Sequence, residues 1–329
     1  MQLSVVILNY NVRYFLELCI KSVQAAIQDI NAEIIVVDNN SADDSCKMVT
    51  QVFPDITLIT NKENVGFSKA NNQAVILAEG EYVCILNPDT VVAEDTFQKL
   101  LDWSTTQEQL GIVGCRLIDG SGAFLPESKR NIPTPAISLK KMLGNSSEYY
   151  AQVAEDAIAE VPVLVGAFMF LKREVYNQVK GFDEDYFMYG EDIDISYKVS
   201  KAGYKNYYFG KTTVIHFKGE STLKDKTYAK RFYEAMHIFY RKHFEKNIIF
   251  DCLVAIGIHV IPFLKKISSS KSKPTNKVKK VLDNHQLSYK EIIEEVEKQT
   301  HRYRILPANS NFVTGSDSSE SRGEVELLK

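Results

Sequence analysis

The sequence predicts an α/β protein built on an open, mostly parallel sheet flanked by helices. Three observations carry that expectation. Through residue 120, short β-branched runs alternate with helical patterns over short connections, the signature of right-handed crossovers. The runs are apolar from end to end, as in strands buried on both faces. Four successive runs finish in Asn or Asp, at the edge where such sheets bind ligands.

In chain order, residues 3–8 form the first strand and 12–27 the first helix. Strand 33–38 (EIIVVD) leads to helix 43–52, strand 56–60 to helix 67–78, and strand 82–86 (YVCIL) to helix 93–103, with 112–117 again a strand. Residues 120–160 are the least regular stretch, with Pro126, Pro133, Pro135 and the run Gly144-Asn145-Ser146-Ser147. A long irregular insertion of this kind reads as a functional lid or a mobile segment. Order returns with an apolar strand over 161–172, a helix to 179, a helix over 191–202, two short strands (206–209 and 213–216) and an aromatic-rich helix over 229–244. A Ser/Lys-rich stretch beyond 268 precedes one amphipathic helix, 289–299. The expected organisation is thus a domain over 1–245, a helical and basic extension over 246–307, and a polar, disordered tail over 308–329.

Composition excludes several classes. Apolar residues at 45% and charged residues at 25% of 329 positions rule out a disordered, collagen-like or disulfide-scaffold chain. The net charge of −3 gives no footprint for nucleic acid. Five scattered cysteines without CxxC spacing read as core thiols of a reducing compartment. Residues 1–8 form a strand and not a signal peptide, and no run reaches the ~20 apolar residues of a spanning helix. The nearest, 252–264, is followed by Lys265, Lys266, Lys271, Lys273, Lys277, Lys279 and Lys280 with no acidic residue among them. That pattern fits the surface of an anionic membrane and equally a docking helix with a solvated linker.

The polar strand ends are Asn9-Tyr10-Asn11, Asp38-Asn39-Asn40-Ser41, Asn61-Lys62-Glu63-Asn64 and Asn87-Pro88-Asp89-Thr90. Capping accounts for part of each, Ser41 and Asp43 above all, but four on one sheet edge point to a polar ligand. Asp89, held after Pro88, is placed to bind a divalent cation together with phosphate oxygens; a cap for the next helix is the alternative. His216 ends a β-branched run and reads either as a structural histidine or as a ligand. The run Tyr189-Gly190-Glu191-Asp192-Ile193-Asp194 places three carboxylates at a helix start, where the helix dipole alone would favour them. On a helix, Glu191 and Asp192 lie within about 60° of the stripe of Ile195, Val199 and Ala202. Asp194 stands off that stripe, four before Lys198, and reads as a surface ion-pair residue. Glu191 and Asp192, with no basic partner evident, are candidates for a general base. A dinucleotide fingerprint, a P-loop and a nucleophile elbow are all missing.

Taken together, residues 5–11 (VVILNYN), 36–41 (VVDNNS), 64–72 (NVGFSKANN), 86–90 (LNPDT), 187–194 (FMYGEDID) and 214–217 (VIHF) resemble, in order and spacing, the family 2 glycosyltransferases, especially their rhamnosyltransferase-like branch. The resemblance runs from residue 2 to about 245. It implies a GT-A fold, with a nucleotide-sugar half over 1–120 and an acceptor half over 121–245. It implies that Asn9, Asn11 and Asp38 hold the nucleoside, that Asn64, Gly66 and Lys69 line the donor pocket, and that Asn40 and Asn87 also belong to the nucleotide-sugar site. Asp89 and His216 would bind Mg²⁺ or Mn²⁺, and Asn87 stands where many relatives carry Asp. Asp192, with Glu191 as neighbour and second choice, matches the catalytic base of an inverting transfer. The implied partners are a nucleotide sugar such as dTDP-rhamnose and a glycan or lipid-linked glycan of cell-surface polysaccharide synthesis, met in the cytoplasm or at the inner face of its membrane. A sugar-phosphate nucleotidyltransferase would want a basic Gly-rich loop after the first strand; a non-catalytic glycan-binding protein would bind donor without transfer. The whole reading requires Asp89, Asp192 and His216 to gather at one cleft.

Overall fold

In a computed structural model the chain is described over residues 1–142, 144–219, 226–244, 277–319 and 322–328. The first half runs β1 (Leu3–Asn9), α1 (Arg13–Ala26), β2 (Ala32–Asp38), α2 (Ser45–Val52), β3 (Thr57–Thr60), α3 (Phe67–Leu77), β4 (Tyr82–Leu86), β5 (Thr90–Val91), α4 (Thr96–Ser104) and β6 (Leu110–Ile118). Then come α5 (Pro135–Met142), β7 (Ile158–Glu160), β8 (Phe168–Lys172), α6 (Arg173–Gln178), α7 (Glu191–Lys201), β9 (Lys205–His216) and α8 (Lys226–His243). The last part holds β10 (Lys279–Asp283), α9 (Tyr289–Glu297), β11 (Arg302–Leu306), β12 (Phe312–Gly315) and β13 (Glu324–Leu327).

The main sheet has the order β3-β2-β1-β4-β8-β6-β9-β5, with β7 paired to β9. β1 to β4 are parallel, β8 is antiparallel to both neighbours, and β6 and β9 are parallel again. Period-two burial explains the layers. Leu3, Val5 and Ile7 of β1 pack with Leu16, Ile20 and Val23 of α1 and Phe97 and Leu100 of α4. Val6, from the same strand, faces Ala70, Ala74 and Val75 of α3 and Ile195 and Val199 of α7. All four parallel strands therefore end on one edge, and the polar tips follow from that.

Three expectations are corrected. The apolar stretch 161–172 pairs as a strand only from Phe168; before it, Pro162 offers no N–H and Val163 exchanges backbone bonds with Arg130 instead (2.9 and 3.1 Å). The two short strands near 210 are one long β9, which carries a register shift against β6 between Cys115 and Arg116. The C-terminal part is neither simply helical nor disordered after 308. β10 to β13 form a second sheet, and Leu282, Ile292, Tyr303 and Ile305 share a core with Phe15, Ile215 and Phe217 of the first domain. Its charges are paired: buried Arg304 binds Asp317 (2.9 Å) and Glu324 (2.5 Å), which is why a polar sequence there is ordered.

Segment 252–264 and Lys265, Lys266, Lys271 and Lys273 lie outside the described residues. The end of the lysine run is structural, since Lys280 pairs with Glu295 (2.7 Å) and Lys279 with Glu326. Among the described residues no helix is long and apolar enough to cross a membrane. Cys19, Cys84 and Cys115 are free and buried, and burial pushes the Cys19 thiol up to about 12.

Candidate active site

The in-register pairing of Asn9 with Asp38 brings the first two strand tips together. Asn9 Nδ2 donates to Asp38 Oδ1 (2.7 Å) and to Ser41 Oγ (3.0 Å), while Asp38 Oδ2 accepts from the Ser41 N–H (2.8 Å). Ser41 Oγ also accepts from the Asn11 N–H (2.9 Å), and Asn11 Oδ1 from the Ala42 N–H (2.7 Å). Ser41 is thus part of the network and more than a cap. Among the described residues Asn9 Oδ1 is buried without a hydrogen-bond partner.

The third tip joins through Asn39 of the second. Buried Asn39 donates to Asn64 Oδ1 (3.2 Å) and to the Gly66 carbonyl (3.1 Å), and accepts from Asn61 Nδ2 (2.9 Å). Its neighbour Asn40, exposed at φ +64°, and Lys69, exposed on α3, join no hydrogen-bond network among the described residues. Gly66 sits at φ +87°, where a Cβ would lie 2.6 Å from the Phe187 carbonyl oxygen. Only glycine allows this approach, and the Phe67 N–H donates to that same carbonyl (2.7 Å). The loop leading into α3 is thereby fastened to the segment just before α7.

A two-residue strand makes the next contact. β5 pairs antiparallel with the end of β9, matching Thr90 to His216, and the Phe217 N–H donates to the Asp89 carbonyl (3.0 Å). His216 Nε2 consequently lies 3.4 Å from Asp89 Oδ1 and 3.4 Å from Asn87 Nδ2. Both Asp89 and His216 are buried. One carboxylate and one imidazole suit Mg²⁺ or Mn²⁺. Among the described residues no group of three His, Cys, Asp or Glu side chains could hold an ion alone, so an ion here would be shared with ligand oxygens. The residues fit such an ion.

The paired carboxylates begin α7. Tyr189 and Gly190, both at positive φ (+71° and +80°), turn the chain so that Glu191 and Asp192 enter the interior, 6% and 8% exposed. Asp192 Oδ2 accepts from Arg130 (2.5 Å) and from the Gly166 N–H (3.3 Å), and Oδ1 from the Ile193 N–H (2.8 Å). Glu191 Oε2 is buried without a hydrogen-bond partner. Burial first, and the adjacent Asp192 charge second, push the Glu191 carboxyl up to about 8. Asp194 is not a surface residue as expected. It is fully buried, with Lys198 at 3.1 Å and His243 Nε2 at 2.6 Å, and so ties α7 to α8.

The clusters connect. The Asn87 N–H donates to the Ala167 carbonyl (3.0 Å), one residue after the Gly166 N–H that faces Asp192. A Cβ built on Gly166 would meet Asp192 Cβ at 3.5 Å and Phe67 at 3.6 Å. Residues 166–167 therefore bridge the Asp89 and His216 turn, the carboxylate pair and the start of α3. Arg130 is a residue that the sequence does not mark, and Asn39 is marked only as one member of a polar tip. Nothing in the spacing of Arg130 singles it out, although a buried carboxylate without a neighbouring base demands a distant cation.

A mostly parallel sheet with polar strand tips, an Asp–His turn and a buried carboxylate pair has the layout of a GT-A fold. Solved structures agree on the fold. The chain matches GalNAc-T7 with UDP, GalNAc and Mn²⁺ at a TM-score of 0.52 and 16% identity, covering 72% of this chain and 48% of that one. It matches the mannosyltransferase PcManGT from Pyrobaculum calidifontis in complex with GDP-Man and Mn²⁺ at a TM-score of 0.51 and 20% identity, covering 83% and 76%. In sequence it is 27% identical over 241 residues to the N-acetylglucosaminyl-diphospho-decaprenol L-rhamnosyltransferase of Mycobacterium tuberculosis, covering 68% of this chain and 78% of that protein. Rhamnosyltransferase WbbL of Escherichia coli is 25% identical over 207 residues, covering 59% and 78%. The sequence model of Glycosyl transferase family 2 matches residues 4–180. The chain belongs to that family and is an enzyme of the glycosyltransferase type.

Proposed function

We propose that this enzyme moves a sugar, rhamnose by the names of its relatives, from a nucleoside diphosphate to a hydroxyl of a glycan or lipid-linked glycan, with inversion. The observation that carries the reading is Asp192: a buried carboxylate held by Arg130 and the Gly166 N–H beside the turn of Asn87 and Asp89. The network of Asn9, Asn11, Asp38 and Ser41 would hold the nucleoside, and Asn64 and Gly66 would shape the sugar side. Asp192 would take the acceptor proton as the hydroxyl oxygen bonds to the anomeric carbon. The bond from that carbon to the diphosphate breaks with its electron pair leaving on the diphosphate. One base and one displacement need no covalent intermediate. Asp89 and His216 would hold a divalent ion, which when bound supplies positive charge to the departing diphosphate. Residues 252–264 and the lysines after them support contact with an anionic membrane at its cytoplasmic face. A nucleotidyltransferase is disfavoured by the neutral tip after β1, which is knitted to Asp38 and offers no basic phosphate cradle.

Calorimetry with dTDP, UDP and GDP, with and without Mn²⁺, followed by transfer from dTDP-rhamnose, tests this. One nucleotide should bind more tightly with metal, by about tenfold, and Asp89→Ala should erase only that metal-dependent part. An equal loss in chelator would remove the metal role. Binding without hydrolysis or transfer would turn the reading to a glycan-binding protein.

A further inference from the structure

We propose that Arg130 is the positioning residue that selects Asp192, and not Glu191, as the ionised base of the transfer; this rests on the reading of Asp192 given above. Two carboxylates from consecutive residues are buried at the start of α7. Side by side in the interior, both cannot carry charge unless a cation compensates each. Among the described residues one salt bridge reaches the pair, and it is asymmetric. Arg130 Nη2 donates to Asp192 Oδ2 (2.5 Å), while Glu191 has no ion pair.

The guanidinium is itself fixed with little freedom. The backbone of Arg130 exchanges both bonds with Val163 (2.9 and 3.1 Å), and the same Nη2 donates to the Leu164 carbonyl (2.9 Å). Residues 163 and 164 lead directly to Gly166, whose N–H is the second donor to the same Asp192 oxygen. Oδ2 is therefore held from two sides by one short segment, and the carboxylate's orientation is set along with its charge. Other charged and titratable groups lie near the pair among the described residues. Asp194 lies on the same helix but is compensated by Lys198 and His243, with the Tyr186 hydroxyl 3.5 Å away. Tyr149 lies beside Arg130 on its far side, with Lys141 Nζ 3.1 Å from the Tyr149 ring centroid. Phe67 and residues 165–167 bring no ionisable group to the pair. The asymmetry leaves Glu191 as the partner that keeps its proton, in line with its raised carboxyl. The irregular 120–160 segment thus contributes chemistry and is more than a lid.

The test is a pH profile of kcat and of kcat/KM for Arg130→Met and Arg130→Lys, with nucleotide binding measured alongside. In Arg130→Met the carboxylate pair must share a proton, so the acid limb should move up by about one unit and turnover below neutrality should fall about tenfold. Donor affinity should stay near wild type. Arg130→Lys keeps the charge but not the fork geometry, and its limb should lie between the two. In an Asp192→Asn background, Arg130→Met should cost nothing further, because its effect passes through Asp192. A wild-type acid limb, or a further loss in the Asp192→Asn background, would overturn the assignment. Should Arg130→Met fail to fold, seen as lost nucleotide binding, the Arg130→Lys limb decides alone: displaced supports, unmoved overturns. An active Asp192→Asn enzyme would instead sink the base reading itself, whatever Arg130 does.

Discussion

The halves proposed for donor and acceptor solve the same problem, placing polar groups in an apolar sheet, in opposite ways. On the donor side the groups belong to adjacent parallel strands. Asn9 finds Asp38 because β1 and β2 are in register, and Asn39 reaches Asn64 from the next tip. The bonds are among neutral amides, hydroxyls and one carboxylate, and most are satisfied locally. On the acceptor side the groups are three buried carboxylates, and two of them find partners far along the chain, Asp192 in Arg130 and Asp194 in His243, while Asp194 also meets Lys198 on its own helix. The donor half is thus a scaffold of strand ends that any chain with this sheet can display. The acceptor half is a set of buried charges that exist only when three separate segments have packed. Sugar-nucleotide binding should tolerate disruption of the second half far better than turnover does.

The largest test of that contrast is the seam between the halves. Gly66→Ala forces a side chain into a positive-φ position and against the Phe187 carbonyl, which should destabilise the fold by about 1–3 kcal/mol. It should also lower both donor affinity and turnover, since the loop bearing Asn64 and the segment bearing Glu191 move together. Loss of one without the other would mean the halves are independent there. Denaturant titration with parallel binding and rate measurements reads all three.

A smaller effect concerns Glu191 and touches stability alone. Its folded-state carboxyl is raised from the ordinary 4.5 to about 8. A raised group stabilises fully below its unfolded value and loses that contribution as pH rises through the folded one. Unfolding free energy should therefore decline between about pH 4.5 and 8, and Glu191→Gln should flatten that decline. An unchanged slope in the variant would show that Glu191 is ionised in the folded enzyme.

These regions also differ in how legible they were. The order of strands and helices through residue 118 followed from apolar runs and their spacing, because parallel strands buried on both faces leave that pattern. The polar tips followed too: Asn9, Asn11 and Asp38 share one hydrogen-bonded cluster around Ser41, and Asn64 and Gly66 another around Asn39. Asp89 beside His216 was legible only through that resemblance, since their meeting depends on a two-residue strand too short to leave a pattern. Asn40 and not Asn39 was assigned because adjacent asparagines look alike in sequence; past the end of β2 the chain turns through φ +64° at Asn40, leaving Asn39 buried and Asn40 exposed. Arg130 could not be read at all, because its partner lies 62 residues away. The C-terminal strands were hidden by their charges, which suggested a solvated tail until Arg304 met Asp317 and Glu324.

The claim on which the rest depends is that Asp192 removes the acceptor's proton. Single-turnover transfer by Asp192→Asn, with donor prebound and its affinity measured separately, addresses it directly. The account predicts a rate lower by ~10²–10⁴-fold with donor affinity unchanged. Transfer near the wild-type rate, or a loss explained wholly by weaker donor binding, would contradict it.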